Sequence, residues 1–245
     1  MEVSNGVIKF WKYNIVQNSL DCIVLDSKVV VNTISPNSYG LSVNDHEMDA
    51  ALKETDYLIL DGVYFGWLPF LMRGVRIKRI TGWDSFRFFS REMQSSKGRV
   101  FFLGSDKTTL DKILKRFQNE FPDVEVGCYS PPFKSSFSEY DDSLMIEKIN
   151  DFAPNVLFVG MTAPKQEKWA VKNKGKLNVN IISTIGNVFD WYAGNSKRPG
   201  ILWQKIGLEW LVRIFLRPEV FKRNIGNQML FFWHLILIIF RIKKI

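Results

Sequence analysis

The sequence is poor in the residues that hold metals and covalent cross-links. Two cysteines, Cys22 and Cys128, and two histidines are spread over 245 residues. With no CxxC and no histidine beside either cysteine, neither a zinc site nor a disulfide framework is offered, and a reducing, cytosolic setting is the expectation. No DxD pair stands at a strand end, the one adjacent pair being Asp141-Asp142 at the start of an expected helix. A full GxGxxG and a ribose-binding acid at its usual spacing are missing too, which argues against a nucleotide-binding oxidoreductase. Met1-Glu-Val-Ser-Asn-Gly6 has neither the basic n-region nor the apolar h-region of an export signal. The most apolar run, Met229 to Phe240, is twelve residues, against the roughly 20 that cross a bilayer.

What is present is a large apolar fraction and an uneven charge. Hydrophobic residues make up 46% of the chain, enough for a full core, and the length suits one domain plus an appendage. The net charge is +8, and from Lys197 to the end ten basic residues face two acidic ones, leaving 23 of each sign in 1–196. The division expected is therefore a neutral body, 1–196, and a basic, apolar, helical appendage, 197–245. In the appendage Arg213, Arg217, Lys222 and Arg223 alternate with Trp210, Phe215 and Phe221. The apolar run beside them argues against a nucleic-acid surface, and it either lies in a membrane interface or packs on the body. His234 is expected to pack within it.

The body reads as alternating strands and helices. Val29-Val-Val31 leads through Asn32-Thr-Ile-Ser-Pro36 into one helix over about 37–52, Pro36 suiting a first helical position. Asp56-Tyr-Leu-Ile-Leu60 is a strand that delivers Asp61-Gly62 at its carboxyl end. On local sequence a helix cap is the preferred reading of Asp61. If the strands ending at Thr33 and Asp61 are neighbours, however, both side chains face one cleft. Arg76 to Asp84 is a basic turn in which Arg79 and backbone N–H groups suit a diphosphate, or form a solvated charge cluster. Arg99 to Leu103 is a strand followed by Gly104-Ser-Asp-Lys and a helix over about 108–121, in which Leu110, Ile113, Leu114 and Phe117 form the core stripe.

The centre of the chain runs from Asn155 to Gly194. It reads as a strand from Val156, a polar turn from Gly160, a helix opened by Lys165, Gln166 and Glu167 after Pro164, a strand over about 179–185, and a second polar turn. First-turn polarity accounts for Glu167 and poorly for Gln166. Such turns fall together at the carboxyl ends of a parallel sheet, where ligands bind. The fold expected is α/β, a Rossmann-like open and mostly parallel sheet.

Several of these segments, in this order, resemble the WecG/TagA/CpsF family of bacterial glycosyltransferases over nearly the whole chain from about Val29. They are Asn32-Thr33-Ile34-Ser35-Pro36, Asp61-Gly62, Arg79-Ile-Thr-Gly82, Phe102-Leu-Gly104, Ala163-Pro-Lys-Gln-Glu-Lys-Trp169, Phe189-Asp190 with Ala193-Gly194, and Ile206-Gly-Leu-Glu-Trp210. The resemblance implies a metal-independent, inverting transferase without a cofactor. It would move an N-acetylmannosamine-type sugar from a UDP donor to the 4-hydroxyl of N-acetylglucosamine on a polyprenyl diphosphate, at the cytoplasmic face of an anionic membrane, with homo-oligomerisation left open. It makes Asp61 the general base with Thr33 beside it. Ser35, Arg79, Gly104, Gln166 and Asp190 become substrate-binding positions, and Arg213 and Arg223 would meet a diphosphate. A partly desolvated cleft would raise the proton affinity of Asp61 toward that of a useful base. The chain departs from the family pattern where it has Ser35 for an Asn, Ser105 for a second Gly, Thr162 for a Gly, Pro199-Gly200 for Ala-Pro and Val220 for an Arg, so donor and acceptor contacts differ in detail.

Overall fold

In a computed structural model the protein is described over residues 3–4, 6–10, 13–62, 66, 69–70, 74–200, 203 and 218–240. Arg213 and the expected motif at Ile206 to Trp210 lie outside the described residues, as do Phe215 and Arg217.

The strands are β1 (Val3–Ser4), β2 (Val7–Phe10), β3 (Tyr13–Val16), β4 (Val29–Ile34), β5 (Tyr57–Leu60), β6 (Arg99–Gly104), β7 (Glu125–Tyr129), β8 (Val156–Gly160) and β9 (Ile181–Thr184). They form one sheet in the order β1-β2-β3-β5-β4-β9-β8-β6-β7. The first three pair antiparallel and every later neighbour is parallel. This is the open, mostly parallel α/β sheet expected, extended by an amino-terminal β-meander.

Alternation along the strands builds two apolar layers, since successive side chains point to opposite faces. Val100 and Phe102 of β6 and Val156 and Phe158 of β8 pack on one face with Phe86, Phe89, Ile113 and Phe117. Those residues belong to α3 (Gly82–Ser96) and α4 (Lys107–Glu120). Phe101, Leu103, Leu157 and Val159 pack on the other face against Met145, Ile149, Trp169 and Ala170, contributed by α5 (Glu139–Phe152) and α6 (Lys165–Asn173). A third cluster joins β2, β3, β4 and β5 to Phe231, Leu235 and Ile238 of the last helix.

Two helices replace the single one expected over 37–52, namely α1 (Pro36–Asn44) and α2 (His46–Glu54). The break is chemical: Asp45 leaves the helical path, and its carboxylate accepts the N–H of Met48 at 3.0 Å as the cap of α2. The helix α3 fills a stretch without a sequence-based expectation. Thr81 and Asp84 cap it reciprocally, Thr81 Oγ1 accepting from Asp84 N and Asp84 Oδ2 from Thr81 N.

The apolar segment of the appendage lies in a 22-residue helix, Pro218–Ile239, which follows the short α7 (Val188–Tyr192) and is numbered α8. It packs on α1. An added Cβ on Gly40 would run into the backbone of Asn227, so the missing side chain lets the two helices touch. Tyr39 Oη and His234 Nδ1 are hydrogen-bonded at 2.9 Å across the same contact. No helix among the described residues is long and apolar enough to cross a membrane.

Candidate active site

Six strands, β4 to β9, end beside one another, and the turns that leave them line a cleft of about 960 Å³. Thr33 and Ser35 come from β4 and its turn, Asp61 from β5, Ser105 from β6, Ser130 from β7, Gly160 to Thr162 from β8, and Gly186 and Asn187 from β9. Gln166 of α6, Asp190 of α7 and Arg223 of α8 complete the wall.

The condition set by the sequence for Asp61 is met. β4 and β5 are parallel neighbours with Thr33 opposite Ile59 and Ile34 opposite Leu60, and the N–H of Asp61 donates to Ile34 O at 2.9 Å. The pairing fixes the backbone of Asp61 one step beyond the sheet edge. Its carboxylate meets Arg79, with Nη2 3.3 Å from Oδ1. Arg79 itself is not among the residues lining the cleft.

Gly104 shapes the cleft through its backbone and does not line it. At φ +123 it lies where an added Cβ would strike the carbonyl oxygen of Gly160 on the neighbouring strand. Ser105 follows at φ +59, a left-handed conformation in which glycine is the usual occupant. Asp106 then caps α4 by accepting from Thr109 N at 2.9 Å. Ser35 lines the cleft as the cap of α1, its hydroxyl accepting from Ser38 N at 3.2 Å while Ser38 Oγ accepts from Ser35 N at 2.7 Å. Its role is therefore at least partly architectural.

Sequence reasoning missed most of the far wall. Residues Ser130 to Phe133 and Phe137 belong to a loop between β7 and α5, and Lys107, Lys165 and Lys197 bring cations to the same space as Arg223. The loop is tied at both ends. Ser130 Oγ donates to Ser105 O at 2.8 Å, and Lys134 Nζ reaches both oxygens of Asp141 at 3.0 and 2.8 Å. Lys134 and the Ser138 donors hold the Asp141 carboxyl down to about 2. Because this acid is stronger folded than unfolded, its stabilisation is present above about pH 4 and is lost as pH falls toward 2. Asp141→Asn is thus expected to lower the melting temperature at pH 7, with the gap to the parent closing between about pH 4 and pH 2. Circular-dichroism melts across that range check it, and a pH-independent gap contradicts it.

Glu167 is also misjudged from sequence. Ordinary first-turn polarity implies an exposed carboxylate, whereas Glu167 is 1% exposed and lines the cleft beside Gln166. Burial pushes its proton affinity above the usual carboxylate range. Among the described residues no three His, Cys, Asp or Glu side chains stand together as a metal cluster.

The family model described as "Glycosyl transferase WecG/TagA/CpsF family" matches residues 8–244. The chain belongs to this glycosyltransferase family. It is similar to the N-acetylglucosaminyldiphosphoundecaprenol N-acetyl-beta-D-mannosaminyltransferase of Bacillus subtilis (strain 168), 26% identical over 205 residues, which are 82% of this chain and 78% of that one. The protein of the same name from Staphylococcus aureus (strain NCTC 8325 / PS 47) is 19% identical over 190 residues, 78% of this chain and 73% of the relative. WecG/TagA/CpsF membership makes this chain a glycosyltransferase, and the cleft at the strand ends is where its chemistry is sought.

Proposed function

We propose that this transferase moves an N-acetylmannosamine-type sugar from a UDP donor to the 4-hydroxyl of N-acetylglucosamine on a polyprenyl diphosphate. The product serves a cell-surface polysaccharide or teichoic-acid-like polymer. The observation that carries the reading is that Thr33 and Asp61, at the ends of two paired strands, share one cleft with Arg223 from the appendage. A carboxylate base and a cation for a diphosphate then face the same space, as two anionic substrates require.

In this mechanism the acceptor oxygen attacks the anomeric carbon as its proton passes to Asp61. The bond from that carbon to the diphosphate oxygen breaks, UDP leaves with the bonding electrons, and the configuration inverts. Lys107, Lys165, Lys197 and Arg223 are the described cations of the cleft that suit diphosphate oxygens, and Arg213 is assigned to the acceptor on the family resemblance. Gln166 and Asp190 are placed on the donor. The exposed apolar side of α8 holds the enzyme at the inner membrane face, where a lipid-linked acceptor resides.

The test is incubation with a panel of UDP-sugars and a lipid-diphosphate N-acetylglucosamine analogue, with products identified by mass. Transfer from a UDP-N-acetylmannosamine-type donor supports the reading; transfer from another hexose alone overturns the choice of sugar. Since lysine, arginine and backbone N–H groups are assigned the diphosphate, excess EDTA is expected to leave turnover unchanged. Activity that is lost to chelator and returns with Mg²⁺ or Mn²⁺ contradicts that assignment.

A further inference from the structure

Four carboxylates line the cleft among the described residues, Asp61, Asp106, Glu167 and Asp190, and Glu167 differs from the rest in its burial. Its Oε1 accepts a hydrogen bond from Gln166 Nε2 at 2.8 Å. Its Oε2 is buried with no hydrogen-bond partner. The Gln166 amide is fixed on its other side too, where Oε1 accepts from Met161 N at 3.3 Å. Gly186, at φ +50, sits so close that an added Cβ would be 3.5 Å from Gln166 Nε2. An amide nitrogen carries two hydrogens, so one is held by Glu167 and the second is left for a ligand.

No cation answers the Glu167 carboxyl among the described residues. The three strands that α6 packs on, β4, β8 and β9, carry no charged side chain. On its own helix Lys165 reaches Lys134 O at 2.7 Å, Lys168 is bound to Asp45 and Glu47, and Lys172 to Asp142. From α2, Asp49 pairs with Lys53, and His46 and Glu54 complete that helix's charged set. Lys174, just past α6, pairs with Asp56. An ionised carboxylate with one oxygen buried and unpaired is heavily penalised, and it neutralises instead. The first turn of a helix by itself favours an ionised carboxylate, and the burial of Glu167 works against that. Pro164 gives the amino end of α6 no side-chain cap, and a charge in the first turn would cancel the positive helix end that attracts an anion.

We propose that Glu167 is an uncharged carboxylic acid and a positioning residue, fixing the Gln166 amide so that its second hydrogen meets the donor while the amino end of α6 stays attractive to the diphosphate. The identity of the ligand rests on the transferase reading above; the protonation state of Glu167 does not. Two measurements separate them. In ligand-free protein, the Glu167 carboxyl carbon, assigned by its disappearance in Glu167→Gln, is expected at the protonated position in ¹³C NMR at pH 7. Titration of that carbon in the ordinary carboxylate range overturns the proposal whether or not the protein transfers sugar.

In the transferase assay, Glu167→Ala is expected to lower kcat/KM for the UDP-sugar about tenfold or more with a cooperative melt retained, and Glu167→Gln to restore most of that loss. On a Gln166→Ala background, Glu167→Ala should cost nothing further, because its effect passes through the amide. Equal losses in Glu167→Gln and Glu167→Ala mean that the charge is needed, and additive losses mean that Gln166 is not the route. Either result overturns the proposal.

Discussion

Asp61→Asn is expected to lower turnover by roughly 10²-fold or more while UDP-donor binding is kept. The amide preserves the shape of the side chain at the end of β5 and the strand pairing that places it, since the N–H of residue 61 still donates to Ile34 O. It cannot accept the acceptor's proton. It also removes one negative charge from the wall of the cleft that an anionic donor enters, so affinity for UDP should hold or rise. The fold should hardly notice. The Asp61 side chain is 37% exposed, and ion pairs in such surroundings contribute roughly 0–1 kcal/mol. Steady-state kinetics together with calorimetric UDP binding check the pair of expectations. Near-normal turnover would remove Asp61 from the mechanism, and loss of UDP binding alongside turnover would make it a donor ligand.

The place of Asp61 at a strand end was legible because an apolar run followed by a polar residue and glycine marks where a strand stops, whereas its local pattern preferred a helix cap and only the neighbouring strand ending at Thr33 pointed to a cleft. Ser35-Pro36 and Asp141-Asp142 were legible too, and open α1 and α5 as their patterns imply. What resisted reading has a common cause. The stretch Phe86-Arg-Phe-Phe89 of α3 carries aromatic residues with no clean helical period, and only the Thr81–Asp84 pair marks where the helix starts. The strands β2 and β3 are four residues each, too short for alternation to stand out. Glu167 carries an ordinary helix-start pattern, and its burial is decided by α6 packing over uncharged strands, a tertiary fact with no local signature. The cleft's far wall is hidden for the same reason, since Lys107, Phe137 and Lys197 come from separate turns that only the strand order brings together.

The appendage offers the largest separable effects, because α8 is apolar on two sides, one buried against the body and one exposed. Phe231, Leu235 and Ile238 are buried against β2 to β5, and truncating such a core aromatic costs about 3–5 kcal/mol. Phe231→Ala should therefore lower the melting temperature sharply and loosen the wall from which Arg223 reaches the cleft. Met229, Trp233, Ile236 and Phe240 follow one another at helical spacing and are exposed, Trp233 at 57% and Phe240 at 70%. Each such side chain gains roughly 1.5–3 kcal/mol on full burial in an apolar phase. Replacing all four with serine should abolish association with anionic liposomes while leaving the melt cooperative and a short-chain soluble acceptor in use. Deleting Met229–Ile245 mixes the two effects, since it strips the core as well as the outer stripe, and it should give an unstable protein from which nothing about the membrane can be read. Flotation of the serine variant is thus the decisive measurement. If it still floats with liposomes, the exposed stripe is not the anchor, and the charges at the amino end of α8, Lys222 and Arg223, become the next to neutralise.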